Sequence, residues 1–324
     1  MDFYYDDFAR RETEKRALKR TALASGLAIF IFFALSIFGT PILEYLANLC
    51  KNGLVSFESR EIVDQLFGML EYLLPLLIAF LPFFPLTRIP FRVAVPFRHV
   101  SPPVFFSGVF VGLGTSVVGI LLASFLLTGF QMLGLSYNVP EQSVPQSTVG
   151  TLLYLVSTAV LPAFFEEIVF RGVLMQSLRR FGDAFAIVTS AIVFVAFHGN
   201  FAQLPNPLLL GMIIGLFVVK TGSLWVGIAI HFANNFILTA VELLLPSDMP
   251  DFAQELVLLS VLLLYLVLAL IGFLILRARD FRLFTLYPSV SPLTSGQKCA
   301  AFFLQPVCLA ALCLMFLFSF VFFL

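Results

Sequence analysis

Apolar residues along this 324-residue chain run in long blocks, near 21–49, 66–86, 103–135, 148–175, 184–200, 206–219, 224–245, 254–276 and 300–324, parted by short polar stretches. Most blocks match the roughly 20 residues that a helix needs to cross about 30 Å of hydrocarbon. Pro207 to Lys220 is short for a span, at roughly 14 residues and about 21 Å. The string GNFAQLPN before it is polar, and non-helical polar backbone at membrane depth is tolerated only where protein buries it or a water-filled cavity receives it. The pattern predicts an all-α fold, a polytopic transmembrane bundle of eight or nine helices. It divides the chain into a tail, 1–20, and a single transmembrane domain, 21–324.

Composition strengthens the membrane assignment. The chain is 60% hydrophobic and 12% charged, against about 25% charged in soluble domains. Its formal net charge is zero, which gives no reason to expect nucleic acid as a partner. Membrane lipids are the expected surroundings, and nothing in the sequence fixes an oligomeric state. Cys50, Cys299, Cys308 and Cys313 show no metal-ligand spacing and read as packing residues. No cleaved targeting segment is evident, because the first apolar run is too long for one. The 40 phenylalanines read as lipid-facing bulk.

Charge then orients the bundle. Sixteen of the 19 lysines and arginines fall in the tail and in alternate loops, which predicts a cytoplasmic N-terminus in a multi-pass protein of the cytoplasmic (plasma) membrane. The acidic residues sort the other way. Ten, among them Glu44, Asp64, Glu71, Glu141 and Asp248, lie in outer loops or near outer helix ends. Five are in the tail, and Asp183 and Asp280 are in basic loops, so Glu166 and Glu167 alone lie deep in the membrane.

A charge at that depth costs roughly 2.5 to 3.5 kcal/mol and marks a functional site by default. Glu167 and Arg171 stand four apart, share a helix face and can pair. Glu166 points about 100° away from them and has no local partner. Pro162 cannot donate to the carbonyl of Thr158 and should kink the helix just before the acids. Two of three histidines fall where partners are wanted: His198 closes the next helix, and His231 shares a face with Asn235 four residues on. Counting residues from each turn returns Glu166, His198, His231 and Asn235 to similar depth. His99, in a basic loop, reads as a headgroup contact. Gly108 with Gly112, and Gly211 with Gly215, read as close-packing positions between neighbouring helices.

Glu166, Glu167 and Arg171, then Phe194 and His198, then His231 and Asn235 resemble, in order and on separate helices, the three motifs of the CAAX prenyl protease type 2 and bacteriocin-processing family, also called CPBP or Abi. The motifs cover about 75 residues, within an expected shared core of 145–245. The resemblance implies an α-bundle with a cytoplasm-facing cavity and an intramembrane endopeptidase activity. It implies that Glu166 and His198 activate a water, that His231 and Asn235 stabilise the oxyanion, and that Glu167 and Arg171 support them. The implied substrate is a prenylated CAAX protein, or a leader-type peptide or other membrane-associated peptide. A positioned carboxylate can take a proton from water and return it to the leaving amine, and oxyanion donors are typically worth about 10² to 10³ in rate.

Cofactor use stays open. Glu166, His198 and His231 could form a three-ligand zinc site with a fourth position free, although no HExxH is present. A metal-free scheme uses the same residues and is the one favoured. Two other classes remain. Polar residues in broken helices also mark ion-coupled transporters, though no inverted repeat is found, and a family member without catalysis would act as a binding or immunity protein.

Overall fold

The computed structural model describes residues 2–135, 137, 144–200, 204–246 and 248–323. Glu141 and the middle of the polar string, Phe201 to Gln203, lie outside the described residues. All the described regular structure is helical except one isolated bridge between Phe97 and Ser223. In chain order the main helices are α1 (Asp2–Lys51), α2 (Phe57–Ala79), α3 (Pro102–Met132), α4 (Thr148–Phe181), α5 (Asp183–His198), α6 (Pro205–Thr221), α7 (Leu224–Leu244), α8 (Asp251–Ala278), α9 (Ser295–Phe303) and α10 (Pro306–Phe318).

Six of these elements are long and apolar enough to cross a membrane, α2 being extended by the short helix Phe83–Thr87. The bent pair α9 and α10, meeting at 73°, makes up to seven. The eight or nine expected from the apolar blocks is therefore too many, because α5 and α6 are apolar but only 16 and 17 residues long. Together they form a hairpin that enters the bundle and returns. Its two ends lie beside the basic segments: Arg179 pairs with Asp183 at 2.9 Å before α5, and a Cβ at Gly222, after α6, would meet Arg98 Cδ at 3.0 Å. Its far end goes only part way, since Asn206 packs on Gly119, near the middle of the 31-residue α3. Residues 2–20, which the sequence sets apart as a tail, form the first turns of α1, where Glu14 pairs with Arg180.

Small residues decide how closely the helices approach. A Cβ at Gly112 would stand 2.2 Å from Ile230 on α7, and one at Gly114 would stand 2.3 Å from Ala269 on α8. Gly108 meets Val226 and Phe217, while Gly215 meets Ile187 and Met175. Between lipid-bathed helices, where apolar burial gives little drive, backbone contact of this kind supplies the packing.

Phenylalanine is not lipid-facing bulk throughout. Phe80, Phe83, Phe170, Phe181, Phe194, Phe217 and Phe302 are all buried. Phe80 stacks on Phe83, and both Phe80 and Phe170 meet Phe197; Phe170 also meets Phe194 edge to face. Composition could not separate these from their lipid-facing neighbours, because both environments are apolar. Of the cysteines, Cys308 is buried, while Cys50, Cys299 and Cys313 are exposed free thiols.

Candidate active site

The site is built on a departure from regular helix in α4. Two stretches, Val156–Val160 and Glu167–Leu174, widen into π-helical turns on either side of Pro162. Such bulges are rare and recur at functional sites. Pro162 leaves the Thr158 carbonyl without its helical donor, and Asn235 Nδ2 from α7 takes that place at 3.2 Å. The proline thus ties α4 to α7 through a side chain. Asn235 Oδ1 accepts in turn from Asn234 Nδ2 at 3.0 Å, and Asn234 Oδ1 accepts from Ser116 Oγ of α3 at 2.5 Å.

The second π-helical stretch turns Glu167 and Arg171 inward, where both side chains are 0% exposed. Arg171 Nη1 donates to Glu167 Oε1 at 2.9 Å, and the same oxygen lies 2.9 Å from His231 Nδ1. The guanidinium carbon stands 4.2 Å over the Phe194 ring, a cation–π arrangement. Gly211 makes room for it, since a Cβ there would stand 2.8 Å from Arg171 Nη2. The buried cation is therefore held by one carboxylate and one aromatic face.

Glu166 lies on the other side of the helix wall. Its Oε1 accepts from the Tyr72 hydroxyl of α2 at 2.7 Å. Its Oε2 is 3.7 Å from His231 Nε2 and has no hydrogen-bond partner among the described residues. His198 ends α5 with Nδ1 3.1 Å from the Phe194 carbonyl, which makes Nδ1 the donor and leaves Nε2 as the ring's acceptor when neutral.

Glu166, His198, His231 and Asn235 all line one cavity of about 1170 Å³. Glu167 and Arg171 stand behind its wall. The expected convergence of four residues on one space is thus what the fold displays, and the Glu167–Arg171 pair forms as its spacing predicts. Glu167 engages His231 through Nδ1 and leaves Nε2 free; among the described residues no three His, Cys, Asp or Glu side chains are grouped as a metal ion would require.

Sequence reading missed Tyr72, Asn234 and Ser116. Asn234 carried a signal in its adjacency to Asn235. Tyr72 carried none, being one aromatic among many on a helix without a motif.

The cavity is asymmetric. Besides the site residues it is lined by Glu44 of α1, Asp64, Gln65, Gly68 and Glu71 of α2, and Ser124 and Leu127 of α3. These residues lie toward the C-terminal ends of α1 and α3 and in the N-terminal part of α2, whereas the resemblance led to the expectation of a cavity facing the basic, cytoplasmic side.

Comparison with known proteins gives one match. Residues 148–237 match the family model described as Rce1-like, type II CAAX prenyl endopeptidase Rce1-like. The matched stretch holds all three motifs, from Glu166 to Asn235. No curated protein and no solved structure matches the chain.

Proposed function

We propose that this chain, which carries a domain of the type II CAAX prenyl endopeptidase family over residues 148–237, is an intramembrane endopeptidase acting through a water bound beside Glu166. The observation that carries the proposal is the state of the Glu166 carboxylate. The side chain lines the cavity, one oxygen is held by Tyr72 and the other, 3.7 Å from His231 Nε2, makes no hydrogen bond among the described residues, which suits a general base that must accept a proton.

In this scheme the substrate carbonyl lies in the cavity, and a water between Glu166 and His198 attacks its carbon. The water's proton passes to Glu166, and the oxyanion that forms is met by the second Nδ2 hydrogen of Asn235 and by Nε2–H of His231, which acts in this scheme as an imidazolium with its Nδ1–H donated to Glu167. Collapse breaks the C–N bond as Glu166 returns the proton to the leaving nitrogen, giving a carboxylate and an amine. Glu167 and Arg171 act indirectly: Glu167 holds His231 through Nδ1 and so aims Nε2 into the cavity. The catalytic core is placed within 145–245, with Tyr72 recruited from outside it. The substrate is a peptide or lipidated protein at the membrane, and the chain sits in the cytoplasmic membrane with its N-terminus inside.

The test is cleavage of a panel of lipidated and leader peptides by detergent-purified wild type and Glu166→Ala, each with and without a tight zinc chelator. Activity kept in chelator and lost in the variant is the expected result. Loss in chelator would make the enzyme zinc-dependent. No cleavage by folded wild type, across the panel, would move the protein to a binding, immunity or transport role.

A further inference from the structure

From Glu166 the described lining of the cavity runs toward one end of the bundle. At the basic end, Phe80, Phe83, Phe170, Phe194 and Phe197 pack ring against ring, and Phe170, Phe194 and Phe197 line the cavity there. Below these rings the segment 83–101 folds across the bundle as a cap. A Cβ at Gly172 would stand 2.6 Å from the Ala94 carbonyl oxygen, so α4 is pressed directly onto it. Leu224 N donates to Pro96 O at 2.8 Å, and Phe97 bridges Ser223, which fixes the cap to the start of α7. A second cavity of about 330 Å³ does lie at this end, between Arg20, Arg88 and Arg180, but it shares no lining residue with the first.

Toward the other end the walls part. The lining continues from Glu166 through Thr158, Ser157 and Tyr154 on α4, through Tyr72, Glu71, Gly68 and Asp64 on α2, and through Ser124 and Leu127 on α3. Asp64, at the rim, is 53% exposed and pairs with Lys51 at the end of α1. Among the described lining residues there is no lysine or arginine.

We infer that the substrate peptide enters from the acid-bearing end, opposite the arginine-rich loops. Taken with the charge rule for membrane loops, its cleavage site is therefore presented on the extracytoplasmic face, as in a secreted or exported membrane-tethered peptide, and not in the cytoplasm. The statement about substrate rests on the endopeptidase reading; the statement about access does not. Packed aromatic rings at the basic end leave few voids large enough for water.

Sidedness of thiol labelling tests it without any assay of cleavage. In a background lacking the four native cysteines, single reporters would be placed at Gly68→Cys, Ser157→Cys and Asn206→Cys along the cavity. Val55→Cys, which is 95% exposed beyond α1, marks the acid-bearing face, and Arg282→Cys, 74% exposed, marks the basic one. Gly68 has nothing within 4 Å of an added Cβ, so that reporter leaves packing undisturbed. A membrane-impermeant maleimide added to intact cells and to inverted vesicles should label the cavity reporters from the side that labels Val55→Cys, with no labelling from the side of Arg282→Cys. Labelling only from the Arg282→Cys side, or from neither side, overturns the inference. Repeating it in the Glu166→Ala background separates access from chemistry, because labelling should persist where cleavage, if this is a protease, is lost.

Discussion

Glu166 and Glu167 are chain neighbours in opposite surroundings. Glu167 is sealed at 0% exposure between a guanidinium and an imidazole, with its second oxygen against Gly227. Each carboxylate has one oxygen without a hydrogen-bond partner among the described residues, but Glu166, with its other oxygen held by Tyr72, lines the cavity and Glu167 does not. The same functional group, one residue apart, is locked in one place and left available in the other. The wall between them is α4 itself, and the π-helical turns set which carboxylate falls on which side. A buried ion pair adds little net stability against an apolar replacement, yet breaking it is expensive because it leaves a charge unmatched. Glu167 and Arg171 therefore specify one arrangement of the helices, while Glu166 supplies reactivity.

Making the same change at both positions is the most direct way to break this comparison. Glu166→Gln keeps the Tyr72 bond and the volume, so cleavage should fall by about 10³ or more, within the range for loss of a general base. Its thermal unfolding in detergent should stay within about 1 kcal/mol of wild type. Glu167→Gln should do the reverse in stability, costing about 3 to 5 kcal/mol by stranding Arg171. Adding Arg171→Met to Glu167→Gln should recover most of that loss. If Glu166→Gln unfolds the protein while Glu167→Gln leaves it intact, the two environments have been assigned the wrong way round.

Asn235 sharpens the contrast, since it belongs to both regions. Asn235→Ala removes an oxyanion donor, for a loss of about 10² to 10³ in kcat. It also strands the Thr158 carbonyl, for about 1 to 3 kcal/mol of stability. Asn235→Asp keeps an oxygen but offers no amide donor to either partner, so single-turnover cleavage should stay at the alanine level. Activity restored by aspartate would show that donation by this side chain is irrelevant to the reaction.

Much of this was legible in the sequence because membranes make charge scarce. Once every other acid had been assigned to a loop, helix end or tail, Glu166 and Glu167 stood out, and spacing alone brought His198, His231 and Asn235 to their depth. Three things were hidden. Two 16- and 17-residue apolar helices read as spans, because periodicity does not say whether a helix crosses or turns back. Buried and lipid-facing phenylalanines look alike when both surroundings are apolar, so the packed rings at the basic end of the cavity were invisible, and with them the direction in which the cavity opens. Tyr72 meets Glu166 across 94 positions of sequence, a contact that only the packing of α2 on α4 creates.

Tyr72 also gives the smallest of the predicted effects. Its hydroxyl is a single donor to a charged acceptor, a class of bond worth about 1.5 to 3 kcal/mol. Tyr72→Phe deletes that oxygen and leaves the ring in place, so the cavity keeps its shape and KM for a peptide substrate should not move. What changes is the carboxylate: Oε1 loses its anchor, Glu166 can rotate, and the oxygen facing the water is no longer fixed. The expected result is a fall in kcat of about 10- to 100-fold, the kinetic equivalent of that bond. The double variant with Glu166→Gln should then be no worse than Glu166→Gln alone, because Tyr72 acts only through that carboxylate. A rise in KM at constant kcat would instead place Tyr72 against the substrate, and a further loss in the double variant would give it a role independent of Glu166.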